Sequence, residues 1–357
     1  MLHFLEHDDF TLVIPGTEDK EWYQRNMEYS RQMNREYLEA LAEPPKGGRL
    51  SGSFIYSHPP DYIGRPTMAW GASQWSDLFR ELKAMGVDTA IYQAAVWLEV
   101  RESNYPSRLF ADFKTWDSIA QLCEAASRER MTLFLGGLGN LMCFDVNATS
   151  ETYQRDRDAQ LECFRELKEL YGGGFQGFYM SPETGYPGGR QPEREVLLNQ
   201  YFKQVCEGVK AEMPGLPILL SPGTYYIPNH DQDIYDFLFA IFKDCPIDIM
   251  APQDSIGTFG NRLLHLKPSF EIWSRLCKTL GFALWVNAES FERVDIGTAQ
   301  DFVSADFRRL AVQLSHASQM AEKIVSWEVP YFYSSLAGER GIRLRREYLS
   351  SLERGER

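Results

Sequence analysis

Two glutamates stand where a chain could use them as an acid and a base. Glu183 lies in Ser181-Pro182-Glu183-Thr184-Gly185-Tyr186, and Glu289 directly follows the apolar run Trp285-Val286-Asn287-Ala288. Pro182 and Gly185 fix a turn that aims the Glu183 side chain. Cleaving a glycosidic bond needs this inventory. One carboxylic acid protonates the leaving oxygen, and a second carboxylate works on the other face of the sugar around an oxocarbenium-like transition state. Two further carboxylates occupy similar settings: Asp254 in Ala251-Pro252-Gln253-Asp254-Ser255, and Glu328 directly after Trp327. They suit hydroxyl binding or the orientation of a catalytic carboxylate. Each acid has a plain structural alternative, a loop cap for Glu183 or an ion pair with Arg293 for Glu289.

Sugars also need amides for their hydroxyls and flat rings for their C–H faces. Gln93, Asn140, Gln253 and Asn287 supply the amides at strand ends, and Trp327, Tyr186 and Tyr225 supply rings. His58 is the only histidine directly after a strand. Trp70, Trp97 and Tyr226 fall in expected loops, whereas Trp75 and Trp273 read as helix core. Other chemistries lack their residues. There is no H-x-H or H-E-x-x-H for a metal and no G-x-S-x-G elbow for a serine nucleophile. The six cysteines are scattered singly, as reduced core thiols would be. No metal and no cofactor is expected. Three readings remain: a glycoside hydrolase, a sugar isomerase or epimerase with a divalent metal on Glu183, Asp254 and Glu289, and a barrel that binds carbohydrate without cleaving it.

The chain of 357 residues carries a net charge of −13, with 44% hydrophobic and 24% charged residues. That composition is globular. A surface so acidic repels phosphate backbones, so nucleic acid is an unsuitable partner and a polyanionic sugar is disfavoured. No apolar run approaches the length of a membrane span. Glu6, Asp8 and Asp9 sit where a secretory signal carries positive charge, which points to the cytoplasm. Self-association into a homo-oligomer is left open.

The elements that must position these residues repeat in a cycle of apolar strand, polar loop and amphipathic helix. Strands are expected at 50–56, 87–93, 131–136, 177–180, 217–220, 248–251, 283–287 and 324–327, about 30–45 residues apart, one strand–loop–helix unit each. Helices are expected at 18–41, 74–85, 116–130, 156–171, 193–213, 232–243, 268–280, 298–321 and 340–354. Short apolar runs alternating with helices specify a parallel sheet covered on both faces. Eight even units specify a single (β/α)8 TIM barrel over 49–357, preceded by an N-terminal helical arm over 1–48. Gly136-Gly137-Leu138-Gly139 lacks the spacing of a dinucleotide loop and reads as a tight turn. In such barrels the site forms at the C-terminal strand ends, where the carboxylates, amides and rings above collect.

Three segments carry a family resemblance: Gly177-Phe178-Tyr179-Met180-Ser181-Pro182-Glu183, Met250-Ala251-Pro252-Gln253-Asp254-Ser255-Ile256-Gly257 and Trp285-Val286-Asn287-Ala288-Glu289. With Gly52-Ser53-Phe54, Trp75 and Gly86-Val87-Asp88-Thr89, they resemble a bacterial family grouped with TIM-barrel glycoside hydrolases and catalogued as a domain of unknown function. The likeness spans about residues 49–335. More distantly, the layout is similar to that of clan A retaining glycosidases. That resemblance implies Glu183 as acid/base and Glu289 as nucleophile. The clan places Asn just before its strand-four Glu, and Pro182 stands there here, so the resemblance implies that Gln253 or Asn287 makes that hydroxyl contact.

Overall fold

A computed structural model describes residues 4–7, 10–13, 20–42, 45, 48–56, 68–98, 101–140, 142–145, 147–223, 226–258, 261–294 and 302–355. Eight short strands close into a barrel: β1 (Gly52–Ile55), β2 (Thr89–Tyr92), β3 (Thr132–Gly136), β4 (Gly177–Met180), β5 (Ile218–Leu220), β6 (Ile249–Met250), β7 (Ala283–Glu289) and β8 (Lys323–Trp327). They follow one another around the barrel in chain order and pair in parallel, β8 returning to β1 through Val325 opposite Gly52. All eight expected strands are present; five are one to three residues shorter than expected, β4 matches, and β7 and β8 are longer.

Every residue of β1, β2 and β4 is buried, as a sheet covered on both faces requires. The inner faces of the eight strands contribute Phe54, Ile91, Phe134, Tyr179, Leu219, Ile249, Trp285 and Val325 to one interior cluster. The barrel is therefore packed through its middle and can offer a ligand only its rim. Gly177 makes room for this packing, since a Cβ there would stand 2.1 Å from the Phe134 ring.

Helices α2 (Ala72–Ala84), α3 (Ile119–Glu129), α4 (Ser150–Tyr171), α5 (Pro192–Glu212), α6 (Asp231–Phe242), α7 (Leu266–Leu280) and α8 (Phe307–Ser318) cover the outside. The last of these begins later than its composition suggests. Phe302–Ser304 pairs instead with Phe291–Arg293 as an antiparallel hairpin, and Asp306 then caps α8, its carboxylate accepting the Arg308 N–H at 2.8 Å. A short helix α9 (Val329–Tyr333) leads into α10 (Gly338–Gly355), which ties back to the barrel. There the Tyr348 hydroxyl accepts from Leu50 N at 3.0 Å and donates to Met85 O at 3.2 Å. All six cysteines are buried and free. No helix among the described residues is long and apolar enough to cross a membrane.

Two local expectations need correction. Gly136-Gly137-Leu138-Gly139 is not a tight turn. Gly136 ends β3, and Leu138–Gly139 continues as a strand parallel to Val96–Trp97. Its glycines permit close approach: a Cβ on Gly136 would lie 2.1 Å from Gln93 O, and one on Gly139 would lie 2.7 Å from the Trp97 ring. The N-terminal segment also contains more than a helix, since Phe4–His7 and Phe10–Val13 form a hairpin before α1 (Lys20–Ala40). Helix α1 packs on the segments that follow β6 and β7, where Asn34 Oδ1 accepts the Leu263 N–H at 2.8 Å.

Candidate active site

The rim is assembled from strand ends, and pairing register sets its neighbours. Glu289 at the end of β7 is the register partner of Trp327 at the end of β8. Gln253 bridges to Asn287, so the chain after β6 continues alongside β7 and delivers Asp254 to the same place.

Glu289 and Asp254 are both about 1% exposed. The Glu289 carboxylate turns onto the 257–258 segment. Its Oε2 accepts the N–H groups of Gly257 and Thr258 at 2.6 and 2.8 Å, and its Oε1 accepts the Thr258 hydroxyl at 2.6 Å. Gly257 is needed for this approach, because a Cβ would meet Phe291 O at 2.3 Å and Glu289 Oε2 at 3.1 Å. Asp254 is fixed by the Gln313 amide, which donates to Oδ2 at 2.6 Å, and by Ile256 N, which donates to Oδ1 at 3.2 Å. Gln313 also donates to Glu289 O at 3.1 Å, and Arg309 donates to Glu289 O and Phe291 O. Burial pushes both carboxyls above the ordinary range, and the charge of Asp254 adds to the rise at Glu289. The donors of Gly257 and Thr258 oppose that rise, because they favour the ionised form.

Glu183 lies across the rim, after β4, and is only half-buried. Its surroundings nonetheless strip away enough water to push its carboxyl up to about 7, against a hydrogen bond from Gln253. Gln253 and Asn287 share an anchor after β5. Gln253 Nε2 donates to Ser221 O at 2.9 Å, and Asn287 Nδ2 donates to Ser221 Oγ at 3.1 Å. Asn287 Oδ1 is buried and has no donor among the described residues.

Trp327 is half-buried and donates its indole N–H to Gln93 Oε1, so the amide at the end of β2 holds the ring at the end of β8. Tyr56 stands between Trp97 and Trp327, with ring centroids 5.0 and 5.5 Å away. Glu328 follows a cis Trp327–Glu328 peptide bond and accepts the Tyr56 N–H on Oε2 at 2.6 Å.

The structure thus brings Glu183, Gln253, Asp254, Asn287, Glu289, Trp327, Glu328 and Gln93 to one end of the barrel. Two other residues expected at the site are engaged elsewhere. Asn140 donates to Asp156 Oδ1 at 2.6 Å and accepts from Met142 N, facing α4. Tyr186 is buried, its ring edge-on to Phe237 and its hydroxyl 3.4 Å from His230 Nδ1. Tyr226, expected in a loop, is buried as well, whereas Trp75 and Trp273 are helix core as expected. His58 and Tyr225 lie outside the described residues. Among the described residues, no three His, Cys, Asp or Glu side chains converge as a metal site requires. Thr258, Arg309 and Gln313 complete the Glu289 cluster and were not singled out from the sequence. Arg309 and Gln313 had a signal, polar residues four apart on the buried face of an amphipathic helix.

A family model described as a domain of unknown function, DUF4434, matches residues 50–336. The chain belongs to this family. Among curated proteins none matches it. Among solved structures it is similar to a Bacteroides thetaiotaomicron VPI-5482 protein provisionally described as an alpha-L-fucosidase. That likeness has a TM-score of 0.70 at 22% identity and covers 88% of this chain and 96% of that one. It is also similar to a beta-galactosidase from the psychrophilic Marinomonas ef1, with a TM-score of 0.55, 8% identity, and 86% and 59% of the two chains covered. A GH113 beta-1,4-mannanase gives 0.50 at 12% identity over 85% and 98%. At these identities the likeness is one of fold, shared with TIM-barrel glycoside hydrolases.

Proposed function

We propose that the chain is a glycoside hydrolase of retaining type acting on a neutral oligosaccharide or small glycoside, with Glu183 as acid/base and Glu289 as nucleophile. The observation that carries this reading is the convergence of Glu183 and Glu289 with Gln253, Asn287 and Trp327 at one end of the barrel, where loss of water pushes the Glu183 carboxyl up to about 7. A group so placed is protonated often enough near neutrality to give its proton to a leaving oxygen, and then takes one back from water.

In the first step the bond between the anomeric carbon and the leaving oxygen breaks, and the Glu183 proton goes to that oxygen. Glu289 forms the new bond to carbon. Its Oε2 is occupied by two N–H donors, so Oε1, with one donor, keeps a lone pair for the attack. In the second step water displaces Glu289 while Glu183 accepts the water proton. Gln253 and Asn287 are suited to the sugar hydroxyls, and Trp327 to its apolar face.

The near-complete burial of Glu289 favours a second reading, a barrel that binds sugar and uses this carboxylate only to shape the 257–258 segment. A hydrolysis screen separates the two. Wild type, Glu183→Gln and Glu289→Gln are assayed on α- and β-linked oligosaccharides and aryl glycosides with EDTA present. Product from wild type alone supports the hydrolase. Turnover preserved in Glu289→Gln removes the nucleophile role, and binding without product in wild type supports the silent barrel.

A further inference from the structure

Helix α4 follows β3, so its first turns stand at the same end of the barrel as Glu183 and Glu289. Beside them is an open cavity of about 540 Å³. Leu98, Phe110 and Met142 give it an apolar wall, and Asn140, Thr152 and Arg155 give it a polar one.

Arg155 makes no ion pair or hydrogen bond among the described residues, although the chain has a large excess of acid. Most other arginines of the helical surface are paired; Arg157, two residues on, donates to Asp158 and Gln204. Asp156 and Asp145 also line the cavity; both oxygens of Asp156 are engaged, and one of Asp145. Asp156 accepts from Asn140 and Tyr201, and Asp145 accepts from Asn147 N at 2.8 Å. The cavity therefore has fixed acceptors, an uncommitted guanidinium and a ring beside them, with charges of both signs. A neutral polyol with an apolar face matches this mixture better than an anion does.

The cavity also connects with the rim. Aromatic contacts run from Trp327 through Tyr56 to Trp97. Val96–Trp97 pairs with Leu138–Gly139, and the next residue on each strand, Leu98 and Asn140, lines the cavity. The Trp97 indole N–H on this path is buried with no acceptor among the described residues.

We infer that this cavity is an outer saccharide subsite, so that the natural ligand is a neutral oligosaccharide reaching from the Glu183–Trp327 rim to Arg155 and Phe110. The inference rests on the carbohydrate reading of the rim but not on its catalysis.

Hydrogen exchange of the full Glu183→Gln chain tests it, with mannotetraose, xylotetraose, cellotetraose, chitotetraose and the matching monosaccharides as probes. At least one tetrasaccharide is expected to protect the amides of 142–145 and 150–156, while its monosaccharide does not. Arg155→Ala, a change on an exposed helix face, and Phe110→Ala are each expected to weaken that tetrasaccharide tenfold or more. Unchanged affinity in both variants, or protection confined to the rim, overturns the subsite. If wild type binds at 142–156 but cleaves nothing, the hydrolase reading falls and the subsite stands. Cleavage without that protection does the reverse, and the absence of both overturns both.

Discussion

Thr258 closes on both oxygens of Glu289, its N–H donating to Oε2 at 2.8 Å and its hydroxyl to Oε1 at 2.6 Å. Hydrogen bonds to a charged group are worth about 1.5–3 kcal/mol each, so these are large terms in the balance between the ionised and neutral acid. Burial and Asp254 push the carboxyl up, and the 257–258 donors hold it down. The side chain best placed to tune Glu289 thus lies on a segment 31 residues before it.

Thr258→Val keeps the shape of the side chain and removes the hydroxyl. The ionised form of Glu289 loses a donor, so its pKa rises further. One to two units are expected at about 1.4 kcal/mol per unit. If Glu289 must be ionised to react, the acidic limb of the kcat/KM profile moves up in pH by that amount. A carbon-13 NMR titration of the Glu289 carboxyl reads the same shift without a substrate. An unmoved titration shows that the hydroxyl does not tune the acid.

Glu183 makes a prediction about stability. Its folded-state pKa, about 7, lies above its ordinary 4.5, so the folded chain holds this proton more tightly than the unfolded chain does. Its contribution is fully present below about pH 4.5 and is lost as pH rises through about 7. Glu183→Gln removes the ionisation. The variant is expected to gain on wild type between pH 5 and pH 8 by about 2 kcal/mol, after allowing for the partial exposure of the side chain. Calorimetric unfolding of both proteins at the two pH values measures this. A constant difference means that the acid is not perturbed.

Gly136 supports the site from below. A Cβ there would stand 2.1 Å from Gln93 O, a backbone atom that cannot step aside cheaply. Gln93 in turn holds the Trp327 indole and accepts the Ser181 hydroxyl at 2.6 Å. Gly136→Ala is expected to cost about 1–3 kcal/mol, as overpacking does. It is also expected to change the fluorescence of Trp327, which a Trp327→Phe control identifies. Wild-type stability in urea would show that β2 and β3 can separate at this point without loss.

The barrel was legible because each strand is a short apolar run followed by a polar loop, and the strand ends therefore named the rim. Glu183 and Glu289 could be found that way, since position after a strand is a property of the chain alone. The direction of a side chain is not. Glu289 turns onto Gly257 and Thr258, and Tyr186 turns inward to Phe237, through contacts between residues 31 to 51 positions apart. Asn140 was found as a strand-end amide, but its partner Asp156 lies two turns into α4, where the hydrophobic pattern records only a buried position. The parallel pairing of Leu138–Gly139 with Val96–Trp97 was hidden because glycine usually marks a turn, and here it marks close approach.

Helix α1 reaches the site through a chain of polar contacts. Asn34, itself buried, accepts the N–H of Leu263 at 2.8 Å, and the Arg262 guanidinium lies 4.7 Å from the centre of the Tyr29 ring. In the same segment Asn261 Nδ2 donates to Asp254 O at 3.0 Å. The arm therefore braces the segment that carries Asp254. Asn34→Ala leaves a buried N–H without its acceptor, at a cost of about 1–3 kcal/mol. Urea unfolding measures that loss, and hydrogen exchange locates it. Faster exchange is expected at Leu263 and at Asp254, whereas β1 and β2 keep their wild-type rates. Acceleration limited to α1 would show that the arm rests on the barrel without bracing the site. Equal acceleration throughout would show that Asn34 acts only on global stability.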